Sequence, residues 1–304
     1  MSFSYEPIDR TPYVRDPRTI VVKFGTEVVT DGNRLNYEVM NRKMGEIVGM
    51  RENGVNIVII TSGAIATGAS RMGRSTRGLS MDEKQGYAGV GQPKLMGVYE
   101  EMLKYNGSDS AVMQILPLSE DFSTKDRVIN MRRMIRFAFQ NDMLPIVNAN
   151  DVLSQEEIEK YDNDTLGAKT AVAIGADLMV TCMAGRRNGG DVEYFYDGDP
   201  NIESSRPIRI VYAIDSEMKG FVVERPGDII TRGGYASKLA AGEILMPAGM
   251  PLVTAHVKYP IGDIASGEDI GTLYVPKGEK LVTLDMDDAK AFDLMQELFA
   301  GIRT

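Results

Sequence analysis

The chain has 304 residues, of which 43% are apolar and 25% charged, and its formal net charge at pH 7 is -9. This length can bury the core of one large α/β domain or of two smaller ones, and the composition is that of a soluble globular protein. The acidic balance excludes a protein that binds nucleic acid along its phosphate backbone, because such binding needs concentrated positive charge. A small phosphorylated ligand is still allowed, since a few local lysines can hold it.

The chain contains one cysteine, Cys182, and one histidine, His256. A lone cysteine permits no internal disulfide and is typical of a reducing compartment. The sequence has no secretory signal pattern and no apolar run long enough to span a membrane, so we expect a cytoplasmic protein without a membrane partner. With one histidine, a histidine metal site or a Ser-His triad is disfavoured, and we assign no residue as a metal ligand. We expect the chemistry to rest on Lys, Asp, Asn and backbone amides.

Strands and helices alternate in the first part of the chain. Residues 1–17 are polar and contain prolines, which predicts an extended N-terminal arm. TIVVKFG predicts a strand, NYEVMNRKMGEIVGMRENG a helix that ends at Gly54, and VNIVIITSGA a strand covered on both faces. IATGASRMG and DEKQGYAGVGQPKLMGVYEEMLKYNG predict two helices, although the internal glycines weaken the second prediction.

The same alternation continues toward the C-terminus. SAVMQILPL, MLPIVNAND and ADLMVTCMAG predict strands, with helices over VINMRRMIRFAFQND and TLGAKTAVAIG between them. RRNGGDVEYFYDGDP predicts a glycine-rich turn region with a short hairpin. SKLAAGEILMPAG then predicts a helix, and MPLVTAHV and GTLYVP predict strands. This order predicts one doubly wound α/β unit with two lobes, in which helical crossovers join parallel strands.

Polar residues and glycines follow several predicted strands at their carboxyl ends, where open α/β sheets bind ligands. These stretches are residues 23–26, 61–64 and 148–151, and residues 162–164 open a helix. Each has an ordinary structural interpretation. The lysine of the first stretch suits a solvated strand end, TSG suits a helix N-cap, NAND an Asx-turn, and DNDT a helix cap.

Together, these stretches favour phosphoryl transfer. Glycines let the backbone approach an anion, helix N-termini direct free N–H groups at it, and lysines neutralise the charge of the moving phosphoryl group. Carboxylates can hold Mg²⁺ or orient the lysines. The sequence contains no G-x-x-x-x-G-K-[ST], no G-x-G-x-x-G after the first strand and no protein-kinase motif set. A kinase of this sequence therefore belongs to neither common phosphate-loop class.

Seven segments carry a resemblance to a known family: VVKFGTEVVT, VIITSGAIATGASRMG, GVGQPKLMGVYEE, PIVNANDVLS, DNDTLGAKTAVAIGADL, RGGYASKLAAGEI and GTLYVP. In this order, over about residues 18–275, they resemble glutamate 5-kinases of the amino acid kinase superfamily, with GVGQ in place of the usual AVGQ. The resemblance implies an αβα sandwich with a mainly parallel central sheet and a single domain over residues 18–304. It implies an amino-acid-substrate lobe at about residues 18–180 and a nucleotide lobe at about 181–304. In a departure from many bacterial glutamate kinases, the sequence is too short for a C-terminal PUA domain, so we expect none.

The resemblance implies ATP-dependent phosphorylation of the γ-carboxylate of L-glutamate, the first step of proline biosynthesis, with ATP and Mg²⁺ as cofactors. It implies a homo-oligomer, dimer or tetramer, and leaves open a glutamyl phosphate reductase as a further partner. Lys23 and Lys238 resemble two lysines that clamp the transferring phosphoryl group, and Asp164 resembles the carboxylate that organises them. The implied substrate-binding residues are Ser62, Gly63, Ala64, Asn148, Asp151 and Asn163. The implied nucleotide-binding residues are Lys23, Gly25, Thr26, Arg186, Tyr196, Asp199, Gly233, Gly234 and Lys238.

The sequence departs from the family pattern on the nucleotide side. Met183 and Ala184 stand where the family has a Thr-Asp pair, and an insertion supplies Arg186 and Arg187. The two arginines either replace lost phosphate or base contacts or belong to a solvated turn. Downstream, His256 occupies part of a position where the family has a small Gly-Ser pair, and a packed or surface histidine is the simpler interpretation.

One departure lies on the amino acid side, where Ala149 stands in place of the Glu of the family's N-E-N-D. This leaves room for a related acidic substrate. Two alternatives to a glutamate kinase therefore stay open. One is a relative with a changed substrate or nucleotide. The other is a nucleotide- or metabolite-binding regulator that has lost turnover.

Overall fold

The structure is a computed structural model that describes residues 2–32, 34–159, 162–188, 190–222 and 234–302. Its strands are β1 (Phe3–Ser4), β2 (Thr19–Phe24), β3 (Thr30–Asp31), β4 (Arg34–Leu35), β5 (Asn56–Ile60), β6 (Ala111–Ile115), β7 (Met143–Val147), β8 (Leu178–Met183), β9 (Arg186–Arg187), β10 (Gly190–Asp191), β11 (Phe195–Tyr196), β12 (Pro207–Ile208), β13 (Ile210–Val211), β14 (Leu252–His256) and β15 (Thr272–Tyr274). Its helices are α1 (Thr26–Val29), α2 (Tyr37–Glu52), α3 (Ala64–Arg71), α4 (Met81–Tyr105), α5 (Lys125–Gln140), α6 (Gln155–Glu159), α7 (Asn163–Ile174), α8 (Ser216–Gly220), α9 (Tyr235–Leu245), α10 (Ile261–Ala265) and α11 (Asp288–Ile302), with a 3-10 turn at Ser119–Ser123.

The central sheet, within these described ranges, has nine strands in the order β1-β13-β15-β14-β8-β2-β5-β7-β6. From β14 to β6 all neighbouring strands are parallel. One apolar core joins the sheet to residues of α5, α7, α9 and α11, and a second core joins its other face to α2, α4 and α10. The predicted αβα sandwich with a mainly parallel sheet is confirmed.

The sheet is mainly but not wholly parallel. The alternating pattern predicted parallel strands joined by helical crossovers, whereas β15 is antiparallel to β14. The only helix between the two strands in the described chain is α10, which has five residues. Such a helix rises about 7.5 Å, less than half the roughly 17 Å length of a five-residue strand. It cannot carry the chain back to the far edge of the sheet, so β15 starts where β14 ends.

Strand β2 positions Lys23, the first of the predicted catalytic residues. The side chains of a strand alternate between the two faces of the sheet. Ile20 and Val22 pack into the core with α2 and α4, while Val21 packs into the core with α7 and α9. Lys23 shares the face of Val21, and its side chain therefore lies on the side of the sheet that α7 and α9 cover.

Helix α4 is continuous over 25 residues in spite of its glycines and the internal Pro93. Two glycines explain how it packs. A Cβ added to Gly91 would lie 1.9 Å from the carbonyl oxygen of Ala64, and one added to Gly68 would lie 1.9 Å from that of Tyr87. The glycines thus let the backbones of α3 and α4 touch, and they bring α4 beside the loop that precedes α3.

The N-terminal segment is bound to the sheet edge opposite β6. Strand β1 pairs with β13, and the Arg10 side chain is buried. Arg10 donates hydrogen bonds to Asp269 and to the backbone oxygens of Ile270 and Gly271. Strand β13, which lies next to the edge strand β1, and the C-terminal helix α11 are not among the predicted elements. No helix in the described part of the chain combines the length and apolar character needed to cross a membrane.

Candidate active site

The site centres on the carboxylate of Asp164, in the first turn of α7. Its Oδ2 atom lies 3.0 Å from Lys23 Nζ and 3.5 Å from Lys238 Nζ. Ser237 Oγ donates to the same oxygen at 2.8 Å, and Thr181 Oγ1 donates to Oδ1 at 3.2 Å. The structure thus brings together the three predicted catalytic residues, which are 141 and 74 positions apart along the sequence.

These three charged side chains are buried: Asp164 is 0% exposed, Lys23 3% and Lys238 4%. Burial raises the pKa of the Asp164 carboxyl, but the charges of Lys23 and Lys238 outweigh it and lower the pKa to about 2. Burial likewise lowers the pKa of Lys23, but Asp164 and, after it, Glu27 raise it by more, so this pKa lies above its usual value. The carboxylate and the Lys23 ammonium therefore both stay charged at neutral pH.

A cavity of about 390 Å³ lies beside this cluster, at the carboxyl ends of β2, β5 and β7. All six predicted substrate-binding residues line it, and Thr26 does so too. Its further lining includes three carboxylate residues and one lysine that were not predicted as site residues: Glu27, Glu157, Asp162 and Lys84. With the predicted Asp151, the lining has four carboxylate residues and one lysine. Their net negative charge favours a ligand that carries a positive group.

Asn163 connects the carboxyl ends of β5 and β7. Its Nδ2 atom donates to the backbone oxygen of Thr61 and to Ser62 Oγ, both at 2.7 Å, and to Asn148 Oδ1 at 3.1 Å. The ordinary interpretation of TSG as a side-chain N-cap is wrong, because the N-cap of α3 is Gly63, which has no side chain to cap with. Gly63 has φ +93, and an added Cβ would lie 2.9 Å from Val29 Cγ1, so both the backbone and the neighbour require glycine here.

Within DNDT, the structural and the functional interpretations apply to different residues. Asp162 is the N-cap of α7, and its Oδ1 atom accepts from the backbone N–H groups of Asp164 and Thr165, both at 2.8 Å. This cap holds the first turn of α7 so that Asn163 lies at the cavity and Asp164 at the lysines. The helix cap therefore positions the two residues that follow it.

The predicted nucleotide-binding residues lie in more than one place. Gly25 is the N-cap of α1 and Gly234 that of α9, while Gly233 lies outside the described residues. Tyr196 and Asp199 lie near Tyr235. Burial raises the pKa of Tyr235 above its usual value, and the charges of Tyr196 and Asp199 raise it further. They are therefore grouped at the start of α9, the helix that carries Lys238.

Arg186 and Arg187 form the predicted hairpin with β10, and both are exposed. Arg186 pairs in register with Asp191, and the Arg187 guanidinium lies 5.4 Å from the centre of the Tyr196 ring. Neither arginine lines the cavity beside Asp164. Their role in holding a nucleotide stays a prediction.

Beyond the carboxyl end of β14 lies a second group of charges, which we call the surface cluster: His256, Lys258, Tyr259, Asp191 and Glu193. Lys258 Nζ contacts Glu193 and lies 3.2 Å from Asp191 Oδ2, and the Tyr259 hydroxyl donates to Glu193 at 2.6 Å. His256 Nε2 lies 3.7 Å from Asp191 Oδ1. The surface cluster ties the hairpin of β9 and β10 to the end of β14.

Four polar residues around the site were not predicted from the sequence. Ser237 and Thr181 donate to Asp164, and Gln92 and Gln114 extend the hydrogen bonds of Asn148. Two signals were present: Ser237 precedes Lys238 directly, and Gln92 is the last residue of GVGQ. Thr181 lies within an apolar strand and offered no signal of its own.

The residues fit the phosphates of a nucleotide, because two buried ammonium groups meet at one carboxylate beside helix N-termini. Within the described ranges, no group of three or more His, Cys, Asp or Glu residues could hold a metal ion.

Comparison with known proteins defines the class. The model of the amino acid kinase family matches residues 18–253, and the chain belongs to this family. The glutamate 5-kinase of Clostridium acetobutylicum is 31% identical over 274 residues, which cover 89% of this chain and 99% of that protein. The glutamate 5-kinase of Carboxydothermus hydrogenoformans is 31% identical over 271 residues, 88% of this chain and 70% of that protein. The resemblance predicted from the motifs is confirmed.

Two solved structures share the fold. The carbamate kinase from Giardia lamblia bound to AMP-PNP has a TM-score of 0.58 and 11% identity, and the match covers 86% of this chain and 99% of that one. The UMP kinase from Bacillus anthracis has a TM-score of 0.54 and 16% identity, with 87% and 98% covered. At these identities the likeness concerns the fold alone.

Proposed function

We propose that this protein transfers the γ-phosphoryl group of ATP to the γ-carboxylate of L-glutamate. The observation that carries the proposal is the meeting of Lys23 and Lys238 at the buried Asp164, next to a cavity lined by Asn163 and Asn148. The likeness to glutamate 5-kinases over most of the chain supports the same substrate.

In this reaction a γ-carboxylate oxygen of glutamate attacks the γ-phosphorus of ATP. An O–P bond forms, the bond between that phosphorus and the bridging oxygen breaks, and ADP leaves with the electron pair. The products are ADP and an acyl phosphate. We assign Lys23 and Lys238 to neutralising the charge on the phosphoryl oxygens during transfer. Both ammonium groups are buried away from water, and Asp164 already holds them beside the cavity. Mg²⁺ would supply further neutralisation on the phosphates.

Asp164 holds both lysines and, with its low pKa, takes no part as a proton acceptor near neutral pH. The carboxylate-rich lining of the cavity favours an amino acid with a free ammonium group. We therefore expect L-glutamate to be preferred over its N-acetylated form, in which that charge is absent.

The test uses purified protein with Mg-ATP, L-glutamate and hydroxylamine, and it measures the γ-hydroxamate together with ADP. Hydroxylamine traps an acyl phosphate, so both products in equal amounts are the expected result. N-acetyl-L-glutamate and L-aspartate serve as matched alternative substrates. Nucleotide binding without hydroxamate on any of the three acids would overturn the proposal and favour a regulator.

We further propose that the protein is a homo-oligomer whose acyl phosphate passes to a glutamyl phosphate reductase. An acyl phosphate hydrolyses readily, which is the chemical reason for prompt consumption by a second enzyme. Light scattering at several protein concentrations tests the first part, and a monomer at all of them would contradict it.

A further inference from the structure

Gln92, the last residue of GVGQ, is buried but does not line the cavity. It lies in the interior of α4, directly after Gly91, and is 7% exposed. The close approach of Gly91 to the backbone of Ala64 holds this part of α4 against the loop before α3. A polar side chain at such a buried position needs hydrogen-bond partners, and its partners lead to the site.

A row of side-chain amides runs from Gln92 to the cavity. Gln92 Nε2 donates to Gln114 Oε1 at 3.0 Å, and Gln92 Oε1 accepts from Asn148 Nδ2 at 2.8 Å. Asn148 Oδ1 then accepts from Asn163 Nδ2 at 3.1 Å and from the backbone N–H of Ala149 at 3.0 Å. Asn148 is 2% exposed, so water cannot replace these partners at low cost.

The row has a direction, because an amide donates from its nitrogen and accepts at its oxygen. Since Gln92 offers its oxygen to Asn148, the oxygen of Asn148 faces Asn163. Asn163 in turn directs its nitrogen at Asn148, Thr61 and Ser62. No donor to Asn163 Oδ1 is found among the described residues, and Asn163 lines the cavity.

We propose that Gln92 is a positioning residue, which fixes the amide of Asn148 and thereby presents Asn163 Oδ1 to the ammonium group of the amino acid substrate. This inference rests on the proposed function for the identity of the substrate. The orientation of the amides themselves is independent of it.

The test compares Gln92→Met, which keeps the side-chain length but removes the amide, with Gln92→Glu, which still accepts from Asn148. Gln92→Leu repeats the first test with a branched side chain should Gln92→Met not fold. Loss of one buried acceptor predicts a rise of about tenfold in KM for L-glutamate in Gln92→Met. We expect kcat to stay within about threefold and KM for ATP to stay unchanged. Gln92→Glu is expected to keep the wild-type KM.

Gln114→Leu is the matched control, because it removes the outer partner of Gln92 without touching Asn148. Its KM for L-glutamate is expected to change less than about twofold. Equal KM values for Gln92→Met and the wild type, with the wild type active on L-glutamate, would overturn the inference while leaving the proposed function intact.

A second readout needs no turnover. In protein labelled with ¹⁵N-asparagine, we expect the side-chain N–H protons of Asn163 to exchange slowly in the wild type and in Gln92→Glu, and faster in Gln92→Met. Unchanged exchange in Gln92→Met would overturn the positioning role. A wild-type protein that shows this pattern but makes no hydroxamate would overturn the proposed function instead.

Discussion

Two groups of lysines and carboxylates lie beyond the carboxyl ends of the central strands, and they differ mainly in burial. Lys23 and Lys238 meet Asp164 almost without exposure, whereas the Lys258 side chain of the surface cluster is 41% exposed. Buried ions have lost their hydration, so each depends on its partner, while water and salt screen exposed ions. The difference supports our proposal that the Asp164 cluster takes part in the reaction, while the surface cluster links loops.

Removing the buried carboxylate should have the largest effect on stability. Asp164→Asn leaves Lys23 and Lys238 buried without their counter-charge, and we expect the free energy of unfolding to fall by about 3–5 kcal/mol. Urea denaturation measures it. Lys258→Met in the surface cluster is the matched control and should leave the urea midpoint close to that of the wild type. Equal losses in both variants would abolish the distinction between the two clusters.

The same contrast should appear in the rate of phosphoryl transfer. In the proposed reaction, Lys23→Met and Lys238→Met each remove a preorganised charge at the phosphoryl group, so we expect kcat to fall at least about 100-fold. Lys258→Met should keep kcat within about twofold. Hydroxamate formation at saturating substrate measures all three. A loss of activity in Lys258→Met as large as that in Lys23→Met would assign the surface cluster to the reaction.

A third contrast concerns how the free energy of unfolding depends on pH in the acid range. The Asp164 pKa is about 2 in the folded protein, below its ordinary value of 3.8. Its stabilisation is therefore fully present above about pH 3.8 and is lost as the pH falls through 2. The difference in unfolding free energy between the wild type and Asp164→Asn should shrink over this interval. Denaturation of both proteins between pH 6 and 2 tests it, and a constant difference would contradict the low pKa.

Much of this architecture could be predicted because local patterns agree with the tertiary packing. The β-branched runs became β2, β5 and β8, and the helical patterns became α2, α5 and α7. The direction of β15 could not be predicted from the alternation of strands and helices, because it depends on the length of α10, the helix between β14 and β15. The prediction of helix α4 was weakened by its glycines. They are explained by the contact with α3, which the sequence pattern alone does not reveal.

The candidate site could likewise be predicted only in part from the sequence. Lys23 could be singled out by its place at the end of an apolar strand, and Asp164 through the resemblance to glutamate 5-kinases. Thr181 could not, because a threonine in a strand is common and its bond to Asp164 depends on the pairing of β8 with β2. The sequence marked Gln92 through a motif, but its partners come from β6 and from the loop after β7.

The smallest expected effect lies in the surface cluster and concerns His256. Partial burial lowers its pKa below the ordinary 6.5, and Lys258 and Arg42 lower it further, although Asp191 and Glu193 oppose this. The folded protein thus favours the neutral ring, and stability should fall as the pH drops below about 6.5 toward the folded pKa. This is the only histidine of the chain, so no other imidazole contributes.

The substitution His256→Gln should remove this loss of stability at low pH. We expect the unfolding free energy of the wild type, relative to His256→Gln, to decrease modestly between pH 8 and pH 5, as measured by urea denaturation of both proteins. An increase instead would mean that the attraction of Asp191 for a protonated ring exceeds the cost of burying it. The surface cluster would then resemble the Asp164 cluster, where attraction between charges outweighs burial, and the contrast between the two would be one of degree.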